Sequence, residues 1–303
     1  MKKKINRSFV GLIHNHNLAR YTSWRVGGNA ERFYRPANLA DLQNFLVQLP
    51  YNEPLTWLGL GSNVLIRDGG VKGTVILTLN RLKKISFFKK SNRLILRVES
   101  GITCHKLAKL CANLGLEDGA FFAGIPGTIG GALTMNAGAF GKETWFYVTR
   151  VETIDRMGVL RNRQSDEFKI SYREIFGLDN QFFVAGYFSF DQKDIINAKR
   201  AVNILLKKRT NTQPIGTFNC GSVFRNPPKN YAAQLIESSG LKGVRFGNAE
   251  VSKKHANFIV NTGKANASDI EKLIQYIAQQ VYKIHGIQLI KEIHILGNYN
   301  NSL

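Results

Sequence analysis

The sequence has few cysteines, no long hydrophobic run and few acidic residues. Its three cysteines are odd in number and lack CxxC spacing, which argues against a disulfide framework and a structural zinc site. No HExxH or comparable ligand pair occurs, so we expect no metal. Apolar runs such as residues 182–188 are much shorter than the roughly 20 residues that span a membrane. Since no signal peptide is recognisable either, we expect a cytoplasmic protein without membrane insertion.

Basic residues outnumber acidic ones, at 42 Lys and Arg against 21 Asp and Glu, which gives a net charge of +21. Such an excess is typical of proteins that neutralise nucleic-acid phosphates. Here the basic residues are spread along the chain, and no RNA-binding or helix-turn-helix signature accompanies them. A basic surface also attracts small polyanions such as dinucleotides and nucleotide sugars. We therefore expect that nucleic acid is not the main partner of this chain.

The predicted elements mix helices and strands without a strict βαβ repeat, which favours an α+β fold. Strands are predicted at 55–66 around a tight loop, at 75–79, at 94–101 and at 181–190, with a hairpin that turns at Met157 and Gly158. Helical spacing is predicted at 102–115 and 195–209. A last helix begins with a Ser268–Glu271 capping box, carries an apolar stripe that ends with Ile284, and stops at Gly286. One strand over 287–297 follows it.

A run rich in glycine, AGIPGTIGGALTMNAGAFG, occupies residues 123–141. Glycine lets main-chain N–H groups face a ligand directly, so the run predicts close approach to a phosphate or a flat ring. Its spacing is neither that of a dinucleotide-binding GxGxxG motif nor that of a P-loop. GLGSN at 59–63 could close on the same ligand, with Ser62 and Asn63 as side-chain donors. By itself GLGSN could be a simple β-turn, and Asn136 a turn-former.

Several motifs occur in order along nearly the whole chain: GLGSNVLI at 59–66, the 123–141 run, SYR at 171–173, QP at 213–214, CGSVFRNP at 220–227, SKKHANFIVN at 252–261 and KEIHILG at 291–297. With these motifs the sequence resembles the UDP-N-acetylenolpyruvoylglucosamine reductases, flavoenzymes of bacterial peptidoglycan synthesis, and in particular their shorter form. The resemblance implies an N-terminal extension over 1–20, a FAD-binding domain of the vanillyl-alcohol-oxidase (PCMH) type over 21–194 with subdomains of about 21–80 and 81–194, and a C-terminal substrate-binding domain over 195–303.

The resemblance implies noncovalent FAD, since no covalent attachment motif is evident, with NADPH as co-substrate and UDP-N-acetylglucosamine enolpyruvate as substrate. The protein's task is then to orient these groups, because the cofactors carry the hydride. We expect the two glycine-containing segments to bind FAD through Gly59, Gly61, Ser62, Asn63, Leu65, Ala123, Gly124, Pro126, Gly127, Thr128, Gly131, Asn136 and Gly138.

Three residues match the family's catalytic positions. Arg173 is expected to bind the substrate carboxylate, although Ile175 stands where the family often has serine. Ser222 is expected to donate a proton to the enolate, while the nearby Cys220 has no role in this chemistry. Glu292, on the predicted final strand, could donate a proton or orient Ser222, although it could also be a solvated edge charge.

Substrate binding is expected from further matched residues: Tyr172, Arg209, Gln213, Arg225 and Asn226. Arg209 could contact the diphosphate, but the surrounding KKR also suits the C-terminal end of a solvated helix. Two alternatives stay open at this stage. One is another FAD-dependent oxidoreductase with the same flavin-binding fold, and the other is a basic nucleic-acid-binding protein.

Overall fold

The computed structural model describes residues 9–300, and these divide into two compact units. Unit 1 consists of the described residues up to Ile13, Phe33–Leu60 and Val75–Lys208. Unit 2 consists of His14–Arg32, Gly61–Thr74 and the described residues from Arg209 onward. The GLGSN motif is therefore shared, with Gly59 in unit 1 and the residues from Gly61 onward in unit 2.

The described residues contain six α-helices and eighteen short or medium strands. The helices are α1 (Leu39–Gln48), α2 (Cys104–Asn113), α3 (Ile129–Thr134), α4 (Ile195–Thr212), α5 (Ala232–Ser238) and α6 (Ala267–His285). The strands are β1 (Leu12–Asn17), β2 (Asn29–Tyr34), β3 (Leu55–Leu58), β4 (Val64–Ile66), β5 (Val71–Leu77), β6 (Ile85–Lys90), β7 (Arg93–Glu99), β8 (Gly138–Ala139), β9 (Lys142–Glu143), β10 (Val148–Ile154), β11 (Leu160–Gln164), β12 (Lys169–Ser171), β13 (Glu174–Phe176), β14 (Phe182–Asp191), β15 (Arg245–Phe246), β16 (Ala249–Val251), β17 (Ile259–Asn261) and β18 (His294–Leu296).

Unit 1 is built on an antiparallel sheet with the strand order β11-β10-β14-β7-β6. Helices α2 and α3 contribute their apolar faces to the core beside it, including Leu107, Cys111 and Leu133. Thr103 caps α2 by accepting a hydrogen bond from the N–H of Lys106. The unit 1 portions of β1, β2 and β5 form a second sheet with β3, in the order β1-β2-β5-β3.

Unit 2 has its own core around the amphipathic helix α6. One face of α6 buries Ile270, Leu273, Ile274, Ile277 and Val281, which pack with residues from α5 and the three-stranded sheet β15-β16-β17. Burial of about five such side chains is a main source of stability for a unit of this size. Strand β18 pairs in parallel with β4, with His294 opposite Val64.

The described residues confirm the α+β class and most of the predicted elements. The hairpin turns where Met157 and Gly158 predict it, since Ile154 pairs with Leu160 and Gly158 has a φ of +77°. The basic helix α4 extends to Thr212, three residues beyond the prediction, and stops just before the Gln213–Pro214 step. Within residues 9–300, no helix has the length and apolar character needed to cross a membrane.

Three predicted features of the C-terminal part are wrong. The capping box of α6 is formed by Asn266 and Asp269, so Ser268 lies inside the helix and Glu271 instead binds Arg67. Ile284 is exposed, which shortens the apolar stripe by a turn. The final strand covers only His294–Leu296 because the chain pairs with the three-residue strand β4.

Candidate active site

The glycine-rich run begins with a 3-10 helix over Glu117–Gly124 and continues into α3. Thr128 is the N-cap of α3, and its hydroxyl accepts a hydrogen bond from the N–H of Gly131 at 3.4 Å. Ala123 is buried in the core of unit 1, so only its main chain is available to a ligand. Pro126 is exposed, and the carbonyl of Gly127 accepts from the N–H of Cys104 at 2.9 Å.

Some of the predicted cofactor glycines are required by the protein's own packing. A Cβ at Gly59 would lie 2.4 Å from the Oγ1 of Thr128, so β3 and the start of α3 meet at this glycine. A Cβ at Gly124 would lie 2.4 Å from the ring of Phe140. Both distances are too short for a side chain. In unit 1 the structure therefore brings the first glycine of GLGSN against the glycine-rich run, while the prediction that both segments contact one ligand stays a prediction.

Gly131 differs from these glycines. It is exposed in the first turn of α3, and a Cβ there would meet only the Oγ1 of Thr128 at 3.8 Å, an ordinary contact. Protein packing does not require glycine here, and glycine in a helix costs about 1 kcal/mol relative to alanine. Close approach of a ligand to the main chain is the usual reason for such a glycine. The segment therefore fits a cofactor that lies against the start of α3.

Asn136 lies fully buried at the end of α3, with a φ of +39°. Its amide nitrogen donates to Glu143 at 2.7 Å and to the carbonyl of Ser171 at 3.1 Å. Its amide oxygen accepts from the N–H of Trp145 at 3.1 Å. These bonds occupy the side chain, so Asn136 acts as a structural link between the glycine-rich run and β12.

Arg173 stands in the two-residue turn that joins β12 to β13. Its guanidinium donates to the carbonyls of Asn136 at 3.4 Å and Gly138 at 3.3 Å, so three predicted site residues meet in unit 1. The φ of Arg173 is +60°, a conformation that costs a non-glycine residue about 1 kcal/mol or more. Such strain is concentrated at functional sites. The half-exposed ring of Tyr172 lies 5.2 Å from the guanidinium carbon.

The rest of GLGSN belongs to unit 2. A Cβ at Gly61 would lie 2.0 Å from the carbonyl oxygen of Tyr21, so packing alone requires this glycine. The half-buried Ser62 hydroxyl has no hydrogen-bond partner within residues 9–300. Leu65 is buried in the core of unit 2 and offers a ligand only its main chain.

The segments that carry Ser222 and Glu292 lie side by side in unit 2. The N–H of Glu292 donates to the carbonyl of Val223 at 2.8 Å, and Phe224 forms an antiparallel bridge with Lys291. The prediction that Glu292 lies on the final strand is wrong, since it precedes β18 by two residues. Both side chains are half-buried, and in the described part of the chain the Ser222 hydroxyl has no hydrogen-bond partner.

Asn63 connects GLGSN to the same place. Its side chain donates to the carbonyl of Glu292 at 3.1 Å, and its own carbonyl accepts from the N–H of His294 at 3.0 Å. The sequence predicts Asn63 as a cofactor residue, but the structure also gives it the role of holding the Glu292 segment in position.

Asn257 is a residue of this site that the sequence does not reveal. It is buried, and its amide accepts from the N–H of Phe224 at 3.0 Å and donates to the carbonyl of Phe224 at 2.8 Å. Its own carbonyl accepts from the N–H of Val223 at 2.9 Å. Asn257 therefore holds the backbone just after Ser222 with three hydrogen bonds. Its place within SKKHANFIVN is the only signal that could have indicated it.

Arg225 and Asn226 extend from the same segment. Burial, and after it the charge of Arg225, lower the pKa of His294, so this imidazole is neutral near pH 7. The amide oxygen of Asn226 accepts from the N–H of Ala232 at 3.0 Å and so caps α5. Asn226 as a whole is exposed.

Arg209 and Gln213 meet at the end of α4. The Nε of Arg209 donates to the amide oxygen of Gln213 at 3.1 Å, and burial lowers the pKa of the guanidinium. A desolvated guanidinium binds an anion more strongly than a fully hydrated one does. Arg209 is therefore partly desolvated, and its expected contact with the diphosphate stays a prediction.

Burial makes the three thiols weak nucleophiles, because it raises the pKa of each. All are buried and free, and burial raises the pKa of Cys220 to about 12. The thiolate is the nucleophilic form, so Cys220 is inert near neutral pH.

Two family models match the chain. The FAD binding domain matches residues 30–162, and the C-terminal domain of UDP-N-acetylenolpyruvoylglucosamine reductase matches residues 213–296. With the α+β fold and the open start of α3, these matches define a flavoprotein.

The curated relatives narrow the class further. A UDP-N-acetylenolpyruvoylglucosamine reductase of Coxiella burnetii (strain RSA 331 / Henzerling II) is 64% identical over 312 residues, which cover 98% of this chain and 99% of the relative. That of Legionella pneumophila (strain Paris) is 50% identical over 290 residues, 95% of each chain. The chain belongs to the UDP-N-acetylenolpyruvoylglucosamine reductase family.

A solved structure agrees with this assignment. The reductase MurB of Thermus caldophilus is similar with a TM-score of 0.78 at 27% identity, over 94% of this chain and 98% of that one. The resemblance stated from the ordered motifs is thereby confirmed.

Proposed function

We propose that this protein uses NADPH and noncovalently bound FAD to reduce the enolpyruvyl group of UDP-N-acetylglucosamine enolpyruvate to UDP-N-acetylmuramate, a peptidoglycan precursor. Family membership over nearly the whole chain supports the reaction class. One observation supports the catalytic roles proposed for Ser222 and Glu292. The N–H of Glu292 donates to the carbonyl of Val223, so the segments that carry the two residues lie together.

The start of α3 is the part of the chain that would hold FAD. The main chain at Gly131 is open to a ligand, while Thr128 keeps the first turn of α3 in place. The Ser62 hydroxyl, which has no hydrogen-bond partner among residues 9–300, would be offered to a polar group such as a pyrophosphate. When bound, FAD supplies the hydride carrier that the side chains of a protein lack.

Arg173 would bind the substrate carboxylate. Reduction of the enolpyruvyl double bond places hydride on the terminal methylene carbon and leaves enolate charge on the neighbouring carbon and its carboxylate. A planar guanidinium stabilises this charge by two parallel hydrogen bonds. Because the strained turn at Arg173 and its bonds to Asn136 and Gly138 limit its movement, the charge is oriented before the substrate arrives.

Ser222 would protonate the enolate carbon. Gly221 precedes it with a φ of +74°, and the hydroxyl has no hydrogen-bond partner in the part of the chain that the structure describes. A hydroxyl is a weak acid, and the nearby Arg225 would favour its deprotonation. Glu292 would orient Ser222 or a water that returns the proton. Arg209, Gln213 and Tyr172 are proposed to bind the remainder of the UDP-sugar.

The reaction is tested by the visible spectrum of the purified protein and by NADPH oxidation with and without the enolpyruvyl substrate. We expect a yellow protein whose NADPH oxidation depends on the substrate. In stopped-flow experiments, Ser222→Ala should leave reduction by NADPH nearly intact and slow reoxidation by the substrate, while the control Ser268→Ala on α6 changes neither. A colourless protein would contradict the function, and equal losses in both half-reactions would contradict the role of Ser222.

A further inference from the structure

The hairpin formed by β6 and β7 carries an unusual concentration of positive charge. Residues 81–93, here called the basic hairpin, contain six Lys or Arg residues and no Asp or Glu. Lys83, Lys84, Lys89 and Lys90 are exposed, and within the described residues none of them forms an ion pair. Of the six basic residues, Arg93 forms an ion pair with Asp191 at 3.3 Å. The charge of the four lysines is not neutralised within the described residues.

The basic hairpin also exposes two aromatic side chains. Phe87 is 53% exposed and Phe88 is 47% exposed. They lie on β6, the last strand of its sheet, which pairs only with β7 in the described part of the chain. Lysines on an edge strand reduce aggregation through that edge, whereas two exposed phenylalanines favour it. A ligand that is both negatively charged and apolar would explain why the exposed lysines and the exposed phenylalanines occur on the same edge.

We propose that the basic hairpin docks the protein on the surface of an anionic lipid bilayer. Lysines near a membrane are attracted by anionic headgroups, and aromatic side chains partition into the interface. Neither residue type belongs to the proposed reaction, so this docking is independent of it.

The arrangement of the two phenylalanines favours lipid over single-stranded nucleic acid. Phe87 pairs across the strands with Leu96, and Phe88 with Ile95, so the two rings point to opposite faces of the hairpin. Bases stack on aromatic rings that share one platform, which these rings do not form. A strand edge that enters a lipid interface, in contrast, places both of its faces against lipid. The charged residues beside the rings are lysines, whose stems extend towards headgroups.

The test is co-sedimentation of the full chain with phosphatidylcholine vesicles, with or without about one third phosphatidylglycerol, at about 0.1 M salt. Lys89→Gln/Lys90→Gln removes charge from the hairpin, and Phe87→Ser/Phe88→Ser removes the rings at unchanged charge. Lys272→Gln/Lys283→Gln is the matched control, because it removes two exposed lysines from α6. Each variant is also tested for binding a single-stranded RNA oligonucleotide, and circular dichroism checks that it is folded.

We expect wild type to bind the anionic vesicles only. The hairpin lysine variant should bind about 30-fold more weakly, the phenylalanine variant should also lose binding, and the control should change less than about threefold. Equal losses in the lysine variant and the control would overturn the proposal, because diffuse charge would then explain binding. Absence of vesicle binding by wild type, or a greater effect of the hairpin variants on RNA than on vesicles, would overturn it as well.

Discussion

Asn257 offers a sharp test of how unit 2 holds its catalytic segment. Its amide accepts from the N–H of Phe224 at 3.0 Å and donates to the carbonyl of the same residue at 2.8 Å, and the side chain is buried. Asn257→Ala removes both bonds and leaves two buried backbone groups without partners. Each such group costs about 1–3 kcal/mol, so we expect a loss of about 2–6 kcal/mol in the stability of this segment.

Hydrogen exchange measures this loss where it occurs, since a chain of two units need not unfold in one step. The amide of Phe224 should exchange at least about 30-fold faster in Asn257→Ala than in wild type. Asn257→Asp keeps an oxygen acceptor for that N–H and should protect it better than alanine does. Asn248→Ala is the matched control, because its exposed amide donates only a 3.4 Å bond to the carbonyl of Lys264 and its loss should cost less than about 1 kcal/mol.

The catalytic consequence is a separate measurement. If Asn257 positions Ser222, the alanine variant should lose kcat for substrate reduction while NADPH-dependent reduction persists. Unchanged exchange at Phe224 in Asn257→Ala would refute the hydrogen-bond argument itself. Faster exchange with unchanged kcat would mean that Asn257 stabilises the segment but does not position Ser222 for catalysis.

Three further predictions concern glycine and histidine. Gly131→Ala should leave the free energy of unfolding unchanged or raise it slightly, because the new Cβ meets no protein atom nearer than 3.8 Å. The same Cβ should weaken FAD binding, as measured by flavin retention during dialysis, because it occupies the space that a ligand would approach. Gly59→Ala should destabilise unit 1 by about 1–3 kcal/mol, and Thr128→Ala should recover part of that loss in a double-mutant cycle, since the new Cβ would lie 2.4 Å from the Thr128 Oγ1. Burial lowers the pKa of His255, whose Nδ1 accepts from the N–H of Asn257 at 3.3 Å. The unfolded chain therefore binds the proton more readily, so unfolding free energy should fall as pH drops below about 6.5, and His255→Asn should flatten that slope in denaturant titrations.

Local patterns in the sequence predict the elements whose cause is local. The turn at Gly158 and the C-terminal end of α6 at Gly286 follow from residues that adopt a positive φ. The start of α6 is different, because the carboxylate of Asp68 accepts from the N–H groups of Ala267 and Ser268, both at 3.0 Å. Asp68 lies about 200 residues before these two residues in the chain. A local sequence pattern therefore cannot predict this cap.

The candidate site shows the same limit. The motifs identify Ser222 and Glu292, but the hydrogen bonds that hold their segments come from Asn63 and Asn257. Asparagine is common in turns, so the hydrogen bonds by which these two residues hold the segments cannot be recognised before the fold is known. The final strand is also predicted too long. The length of β18 depends on its pairing with β4, and Glu292 lies outside the paired residues.

The glycines of the two predicted cofactor segments separate into two kinds, which the sequence does not distinguish. At Gly59, Gly61 and Gly124 a side chain would collide with the protein's own atoms, so these glycines are explained without any ligand. At Gly131 a Cβ would fit beside the protein's own atoms, so packing does not explain why a glycine that lowers helix stability stands here. A glycine-rich run is therefore ambiguous evidence for a cofactor, because tight packing and ligand approach select the same residue. Only the second kind is evidence for a cofactor, so comparison of Gly131→Ala with Gly59→Ala separates cofactor binding from fold stability within one motif set.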